Sequence, residues 1–373
     1  MKKNKMIIQI QPWIDDSEMH ELMKVVQSTF VTEASLTKEF EQMTRDLTKA
    51  KHAIAVANGT LGLFCALKAL GIGIGDEVIV PDLTFIASAN AIIMAGAKPV
   101  FCDVEINTLC IDIEKAKSKV TANTKAIMPV HLYGQSADMV KVLNFAKENN
   151  LKVIEDAAQG VGVLFEGKHV GTFGDIGILS YYGNKTITTG EGGIILTNDD
   201  ELAKICYRLK NHGRDTKGTF IHEHIGFNFS FTEMQAALGV SQMKKLNAII
   251  TRKLEIQNKY AENLANIDGF KMLYSDPRVT PVYWFTSFWV DDLEGLTTYL
   301  TENKIQTRRF FYPLHLQPCY QDPKLELQFN KDEFPVSTLA YQHGLSLPSS
   351  YLLKDEEQEF VINKIKDFYA NRN

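Results

Sequence analysis

The chain has 373 residues, of which 45% are hydrophobic and 23% are charged. This composition is typical of a folded globular protein, and it excludes a chain that is disordered, collagen-like or coiled-coil over its whole length. Forty lysines and arginines against 45 aspartates and glutamates give a formal charge of -5. That balance indicates no general affinity for nucleic acid or for an anionic membrane surface.

The five cysteines include no CxxC pair, so neither a disulfide framework nor a zinc site is indicated. The first residues are basic but lack the apolar run of a signal peptide. No stretch approaches the roughly 18 consecutive apolar residues of a membrane span. We therefore expect a cytoplasmic protein without a membrane segment or a metal centre.

The elements can be predicted in chain order. Two helices come first, one after the capping pair Asp16 and Ser17 and one that carries Phe40, Met43 and Leu47 on one face. From residue 51 onward strands and helices alternate, which is typical of crossovers in a largely parallel sheet. The predicted strands are 52–58, 77–81, 98–104, 125–134, 151–157, 176–183 and 192–199.

The second half of the chain changes character after residue 213. Residues 214–226 show no period and predict a long loop, and an amphipathic helix follows from about Thr232 to Asn263. A strand at 281–290 and helices at 293–304 and 356–370 complete the chain. We expect a large cofactor-binding domain at 1–250 and a smaller α+β domain at 251–373.

Two glycine motifs resemble nucleotide-binding loops but lack the neighbouring residues and elements that such loops require. Gly162 to Lys168 has the GxxxxGK spacing, yet His169 stands where a serine or threonine would bind magnesium, so we predict a turn between two short strands. The glycines at 71, 73 and 75 follow a helix instead of a strand, and predict a helix end that leads into a turn.

Four segments carry residues suited to chemistry. Asp156 lies just past an apolar strand, where open α/β sheets place ligands, and Lys185 follows the next strand in a glycine-rich turn. Gly59 and Thr60 begin a helix, whose backbone N–H groups can bind a phosphate. Phe85 places an aromatic ring at another strand end.

Pyridoxal phosphate requires this set of groups. A lysine forms a Schiff base with the aldehyde of this cofactor. A carboxylate keeps the pyridine nitrogen protonated, which makes the ring an electron sink. A helix N-terminus binds the phosphate and an aromatic side chain stacks on the ring. The sequence therefore predicts an enzyme that uses pyridoxal 5′-phosphate.

The chain resembles the sugar aminotransferases of the DegT/DnrJ/EryC1/StrS family, within the fold type I pyridoxal-phosphate enzymes. The resemblance covers about residues 7–370. The motifs that carry it are ANGT, GDEVIVPDLTFIASANAI, AIMPVHLYGQ, VIEDAAQ, SYYGNKTITTGEGG, GFNFSFTEMQAA and FFYPLHLQPCY. GNKTITTGEGG and YPLHLQP are most similar to GDP-perosamine synthase-like 4-aminotransferases. The resemblance implies an aspartate-aminotransferase-like α/β fold, with a mostly parallel central sheet and a smaller C-terminal α+β domain.

The resemblance also implies roles around the cofactor ring. Lys185 would hold the cofactor covalently, and Asp156 would pair with the pyridine nitrogen. Gln159 would approach the ring or its 3-hydroxyl, and Phe85 would stack on the ring.

Other implied roles concern the phosphate and the substrate. Gly59, Thr60 and Ser180 would bind the phosphate, and Asn228 would reach the phosphate of a neighbouring subunit. A homodimer with shared active sites follows from that last role. His315 would act in the substrate pocket, although a histidine between prolines can equally brace its own loop.

The implied reaction moves an amino group from L-glutamate to the ketone of a nucleotide-linked 4-keto-6-deoxy sugar. Lys185 would move the proton as general base and then as general acid, which requires a neutral amine and hence a lowered pKa. Some relatives carry histidine in place of this lysine and act as dehydratases. The lysine therefore favours amino transfer over a dehydratase. A non-catalytic protein that binds the cofactor is a further alternative.

One departure from the family pattern concerns the substrate. Ser230 stands where most relatives have arginine, and serine cannot grip a carboxylate in a bidentate manner. Arg308, Arg309 and Tyr312 are the candidate substrate contacts, with Arg309 as an additional cation. A smaller phosphorylated ketone is therefore the alternative acceptor.

Overall fold

The computed structural model describes residues 6–215 and 220–372. Its helices are α1 (Asp16–Ser28), α2 (Ser35–Thr48), α3 (Gly59–Ala69), α4 (Ala87–Met94), α5 (Ile113–Lys117), α6 (Met139–Glu148), α7 (Asp200–Lys210), α8 (Glu233–Leu264), α9 (Leu293–Glu302), α10 (Pro335–His343) and α11 (Asp355–Ala370). Within those described ranges, none of the helices is both long enough and apolar enough to cross a membrane.

The strands form three sheets. They are β1 (His52–Val56), β2 (Glu77–Pro81), β3 (Lys98–Cys102), β4 (Thr124–Ile127), β5 (Lys152–Asp156), β6 (Leu164–Phe165), β7 (Lys168–His169), β8 (Ile176–Ser180), β9 (Gly193–Thr197), β10 (Phe270–Met272), β11 (Val279–Thr280), β12 (Thr286–Val290), β13 (Arg308–Arg309) and β14 (Gly344–Leu347).

The central sheet has seven strands in the order β1-β9-β8-β5-β4-β2-β3. Neighbouring strands are parallel except where β9 pairs with β1 and β8, so β9 alone runs against the other six. The central strand β8 is buried along its whole length, as expected for a sheet covered on both faces by helices. The structure confirms the predicted α/β fold with a mostly parallel sheet.

A second sheet of four antiparallel strands has the order β10-β12-β14-β13. The helices α9 and α11 pack together beside it, and both share an apolar cluster with its strands. The long helix α8 begins at the capping box of Thr232 and Gln235, and it contacts both α1 and α2 and, further along, β10. It runs through residue 250, so the division into 1–250 and 251–373 stays a prediction.

The direction of the strands decides where the site forms. Because β9 is antiparallel to both of its neighbours, the carboxyl ends of β1, β8, β5 and β2 all lie at one edge of the central sheet. At the start of β9, Gly193 pairs with Val56 and Ser180. A Cβ atom on Gly193 would lie 2.7 Å from the carbonyl carbon of Asn58, so only glycine permits this approach.

The glycine motif at residues 162–168 is a hairpin. The strands β6 and β7 are antiparallel, and Glu166 and Gly167 between them have φ angles of 47° and 77°. This confirms the predicted turn between two short strands. Gly71, just beyond α3, has a φ of 75°, as predicted for a helix end that leads into a turn.

Several predicted boundaries are wrong. The strand expected at 125–134 ends at Ile127, and Tyr133 and Gly134 have φ angles of 52° and 82°, which a strand cannot continue through. The strand expected at 281–290 begins only at Thr286. The elements β13, β14 and α10 were not predicted, because their short segments pack through distant partners that no local pattern indicates.

All five cysteines are free, as expected from their spacing. Four of them are buried, whereas Cys319 is exposed in a 3₁₀ turn. Burial raises the pKa of the thiols of Cys65 and Cys110 to about 12, so both behave as small apolar side chains.

The turn at Gly134 gives a test of the fold. An alanine Cβ there would lie 2.2 Å from the carbonyl oxygen of Val282, on a residue that already has a positive φ. We expect Gly134→Ala to lower the free energy of unfolding by about 3 kcal/mol or more, measured by urea unfolding. Gly167→Ala is the control, because it has a similar φ but no atom within 4 Å, and it is expected to cost about 1 kcal/mol. Equal losses for the two variants would contradict the close approach.

Candidate active site

Lys185 lies in the loop that follows β8, at the carboxyl edge of the central sheet. Its backbone N–H donates to the carbonyl of Tyr182, and its Nζ lies 4.1 Å from the centroid of the Trp284 ring. The indole N–H of Trp284 donates to the carbonyl of Asn184 at 2.6 Å. The ring therefore covers one side of the ammonium group and is attached to the lysine's own loop.

Asp156 ends β5, the strand next to β8, and its side chain is buried. The hydroxyl of Ser88 donates to its Oδ2 at 2.6 Å, and the N–H of Ala158 donates to its Oδ1 at 3.1 Å. These two hydrogen bonds fix the orientation of the carboxylate. Sequence reasoning missed Ser88, although it lies only three residues after Phe85, in the first turn of α4.

The amine of Lys185 is tuned for chemistry near neutral pH. Burial lowers its pKa, the charge of Asp156 raises it, and the cation of Arg308 lowers it, with a net pKa of about 8. About a tenth of the amine is therefore neutral at pH 7. A neutral amine is the form that attacks an aldehyde and accepts a proton.

The N-terminus of α3 meets the end of β8. Asn58 caps the helix through the N–H of Leu61, and in the described part of the chain the N–H groups of Gly59 and Thr60 have no acceptor. A Cβ on Gly59 would lie 3.2 Å from the Cβ of Ser180, so the serine hydroxyl adjoins the helix start. Two orphan donors and a hydroxyl at a helix N-terminus form a site that fits a phosphate.

Phe85 and Gln159 lie at the same edge. Phe85 is 54% exposed, and its ring centroid lies 5.9 Å from that of Phe311. The side-chain oxygen of Gln159 accepts from the N–H of Tyr133 at 2.8 Å. That bond orients the amide and leaves its NH₂ without an acceptor among the described residues.

His315 is held by a buried carboxylate. Its Nδ1 lies 2.7 Å from Oδ2 of Asp82, its backbone N–H donates to Oδ1, and its ring stacks on Phe334. Burial raises the pKa of Asp82 above its ordinary value, although the hydrogen bonds from His315 oppose that shift. These contacts brace the loop after β13, and a role of His315 in the substrate pocket stays a prediction.

The two adjacent arginines of β13 point in different directions, as successive residues of a strand must. Arg308 lies 5.2 Å from the centroid of Phe285 and acts on the pKa of Lys185, so it faces the site. Arg309 forms an ion pair with Glu294 and lies over Tyr341. Tyr312 also packs against Tyr341, with ring centroids 4.9 Å apart.

Asn228 and Ser230 flank Phe229, whose carbonyl accepts from the N–H of Ala57, just before α3, at 3.0 Å. They line a cavity of about 470 Å³ together with Asn211 and Arg214. The guanidinium of Arg214 donates to the side-chain oxygen of Asn211 at 2.7 Å. The lining of this cavity includes neither Lys185 nor Asp156. The contact of Asn228 with the cofactor phosphate of a neighbouring subunit stays a prediction.

Comparisons with known proteins agree with this geometry. The DegT/DnrJ/EryC1/StrS aminotransferase family matches residues 12–366. The chain is 38% identical to GDP-perosamine synthase of Vibrio cholerae, over 98% of this chain and 99% of that protein. It shares a TM-score of 0.92 and 28% identity with the aminotransferase TlmJ from Streptoalloteichus hindustanus, over 98% of this chain and 100% of that one. DesV of S. venezuelae, solved in complex with a ketimine intermediate, gives a TM-score of 0.90 at 28% identity, over 97% of this chain and 99% of that one.

Aminotransferases of this family use pyridoxal 5′-phosphate, and it is the cofactor of this protein. The residues at the sheet edge fit it. The orphan N–H groups of Gly59 and Thr60 suit its phosphate, the buried carboxylate of Asp156 suits its ring nitrogen, and the amine of Lys185 suits its aldehyde.

The pKa of Lys185 predicts a pH profile. In full-length protein freed of cofactor, the rate of pyridoxal phosphate capture is expected to rise about tenfold per pH unit and to level off near pH 8. Arg308→Gln removes a cation that lowers this pKa, so its midpoint moves to higher pH and capture at pH 7 slows about threefold. The control Arg309→Gln leaves the midpoint unchanged, because Arg309 pairs with Glu294. A downward shift for Arg308→Gln would be inconsistent with this electrostatic account.

The hydrogen bond from Ser88 to Asp156 gives a second test. Ser88→Ala removes a donor to a buried carboxylate, a loss of about 1.5–3 kcal/mol. We expect the dissociation constant of pyridoxal phosphate to rise about tenfold or more, measured by equilibrium titration. Ser118→Ala is the matched control, because Ser118 is exposed and its hydroxyl donates only to the carbonyl of Lys115 within α5. Equal affinity of Ser88→Ala and the wild type would show that this bond does not support cofactor binding.

Proposed function

Because the chain belongs to the DegT/DnrJ/EryC1/StrS aminotransferase family, we propose that it transfers the amino group of L-glutamate to the ketone of a nucleotide-linked 4-keto-6-deoxy sugar. The observation that carries the proposal is the similarity, over nearly the whole length of both chains, to GDP-perosamine synthase. Perosamine is a 4-amino-4,6-dideoxy sugar, so the corresponding acceptor here is a GDP-linked 4-keto-6-deoxyhexose.

Lys185 is the proposed acid and base. Pyridoxal 5′-phosphate, when bound, would supply the electron sink through which the amino group is transferred from the donor to the ketone. The Nζ of Lys185 accepts the proton that leaves the α-carbon of glutamate and later returns a proton to the sugar carbon that receives the nitrogen. Its pKa of about 8 supports both steps, because the amine and the ammonium are both populated near neutral pH.

Other side chains hold the reacting groups in place. Asp156, oriented by Ser88, binds the ring N–H and keeps that nitrogen protonated. Gly59, Thr60 and Ser180 bind the phosphate. For the ring itself, we assign the stacking contact to Phe85 and the approach to the 3-hydroxyl to Gln159.

We propose that Arg308 binds the carboxylate of the amino donor. Ser230 carries no charge and lies in the cavity of Asn228, whereas Arg308 acts electrostatically on Lys185. A guanidinium that carries no ion pair in the described chain is free to bind a carboxylate in a bidentate manner. Tyr312 and His315 follow in the same loop, and we assign them to the acceptor side of the pocket.

We further infer a homodimer with shared active sites. Phe220, Ile221 and Ile225 are 86%, 78% and 87% exposed in the segment that leads to Asn228. Exposed apolar side chains in one segment favour an interface. In such a dimer Asn228 would reach the phosphate site of its neighbour.

The alternative acceptor, a smaller phosphorylated ketone, loses one of its supports. It relied on Arg309 as an additional cation in the pocket, but Arg309 is neutralised by Glu294 and covered by Tyr341. A dehydratase is disfavoured by Lys185, which permits amino transfer to be completed.

A substrate panel tests the proposed function. The protein is supplied with L-glutamate and, separately, with a GDP-linked and a dTDP-linked 4-keto-6-deoxyhexose and with dihydroxyacetone phosphate. We expect kcat/KM for the GDP-linked sugar to exceed that for the small ketone about 100-fold or more, with one 2-oxoglutarate formed per amino sugar. Lys185→Ala is the control and is expected to form neither product. Faster turnover of the small ketone, or sugar conversion without glutamate consumption, would exclude the proposal.

A further inference from the structure

Lys253 is a buried cation without a counter-ion. It lies on α8 with 3% of its surface exposed, and it forms no ion pair within residues 6–215 and 220–372. Burial lowers the pKa of its ammonium to about 7. A buried lysine lowers the free energy of unfolding unless its N–H groups make hydrogen bonds. Methionine or leucine would fill the same space without that loss of stability. Its contacts therefore require an explanation.

The side-chain N–H groups of Lys253 donate hydrogen bonds to two backbone carbonyls. Its Nζ donates to the carbonyl of Trp284 at 3.0 Å and to the carbonyl of Ser349 at 3.1 Å. Trp284 precedes β12 and Ser349 follows β14, and these two strands are paired in the second sheet. The hydroxyl of Ser349 also accepts from the N–H of Thr286. One ammonium thus ties α8 to both segments at the border of the second sheet.

Trp284 connects the hydrogen bonds of Lys253 to the active site. Its ring lies 4.1 Å from Nζ of Lys185, its indole N–H donates to Asn184, and it stacks on Phe285 with ring centroids 3.7 Å apart. The ring keeps water from one side of Lys185, and burial is the main cause of that lysine's lowered pKa. The position of the ring depends on its own backbone, which Lys253 holds.

We propose that Lys253 is a positioning residue that acts through Trp284 on the amine of Lys185. It touches neither substrate nor cofactor. By fixing the Trp284 carbonyl it keeps the indole against Lys185, and so maintains the dry surroundings in which part of the amine is neutral at physiological pH. The inference rests on the proposed role of Lys185.

Loss of the hydrogen bonds from Lys253 should shift the pKa of Lys185 in a predictable direction. If the indole moves away, Lys185 loses a cation–π contact, which would lower its pKa, but gains water, which would raise it. Desolvation shifts the pKa of a fully buried lysine by up to about 3–5 units. A desolvated cation–π contact contributes about 2 kcal/mol, which corresponds to about 1.5 pKa units. The net shift is therefore upward.

The experiment follows the pH midpoint of pyridoxal phosphate capture in full-length protein freed of cofactor. The variants are Lys253→Met, Lys253→Gln, Trp284→Ala and the double variant Lys253→Met/Trp284→Ala. Lys244→Met, an exposed lysine on the same helix, is the control. We expect Lys253→Met to raise the midpoint by about half a pH unit or more, which is about threefold less neutral amine at pH 7. Lys253→Gln, which keeps a donor, should shift it less, and Lys244→Met not at all.

The double variant separates positioning from general loss of structure. If Lys253 acts through Trp284, adding Lys253→Met to Trp284→Ala changes the midpoint no further. An unchanged midpoint in a folded Lys253→Met protein, or equal shifts with and without Trp284, would overturn the proposal. Should Lys253→Met prove unfolded by circular dichroism, the same comparison is made with Lys253→Gln. Covalent uptake of cofactor by Lys185→Ala would instead refute the role of Lys185, independently of Lys253.

Discussion

The contact between Gly193 and Asn58 is the constraint on which the phosphate side of the site depends. The strand β9 lies between β1 and β8, so the chain leaving β1 must pass over the start of β9 to meet the end of β8. Any side chain at residue 193 would collide with the backbone of Asn58. With glycine there, the helix α3 starts beside Ser180, and its unpaired N–H groups point at the same edge that carries Asp156 and Lys185. The only antiparallel strand of the sheet thus brings two distant segments together.

The active site draws on both sheets. The central sheet supplies the carboxylate and the lysine. The second sheet supplies Arg308 from β13, and Trp284 comes from the segment that leads into β12. The two contributions act on one quantity, the pKa of Lys185. Asp156 favours the ammonium, whereas the loss of water and the cation of Arg308 favour the amine. Neither sheet alone would give a lysine that is partly neutral near pH 7.

The sequence was sufficient for residues whose position follows from strand order alone. Asp156 ends one buried strand and Lys185 follows its parallel neighbour, so the ends of the two strands lie together and local patterns predicted the proximity of the two residues. Ser88, Trp284 and Lys253 were missed because each matters through a partner 68, 99 or 31 residues away, respectively, in a contact that only tertiary packing creates. The overextended strand at 125–134 failed for a related reason. Its apolar residues are buried in the loop around Tyr133 and not in a strand. The positive φ angles in that loop prevent further strand pairing.

The continuous helix α8 has a mechanical consequence. Its 32 residues span about 48 Å, and along that length it packs against α1 and α2 at one end and against α11 and the second sheet at the other. An unbroken α-helix bends only gently, because each sharp kink needs a proline, a bulge or a lost backbone bond. If the two sheets move relative to each other as ligands enter and leave, the helix would travel as a rigid rod. The φ and ψ changes would then concentrate in the short connections before β12 and after β13, the same connections that carry Trp284 and the loop of Tyr312 and His315.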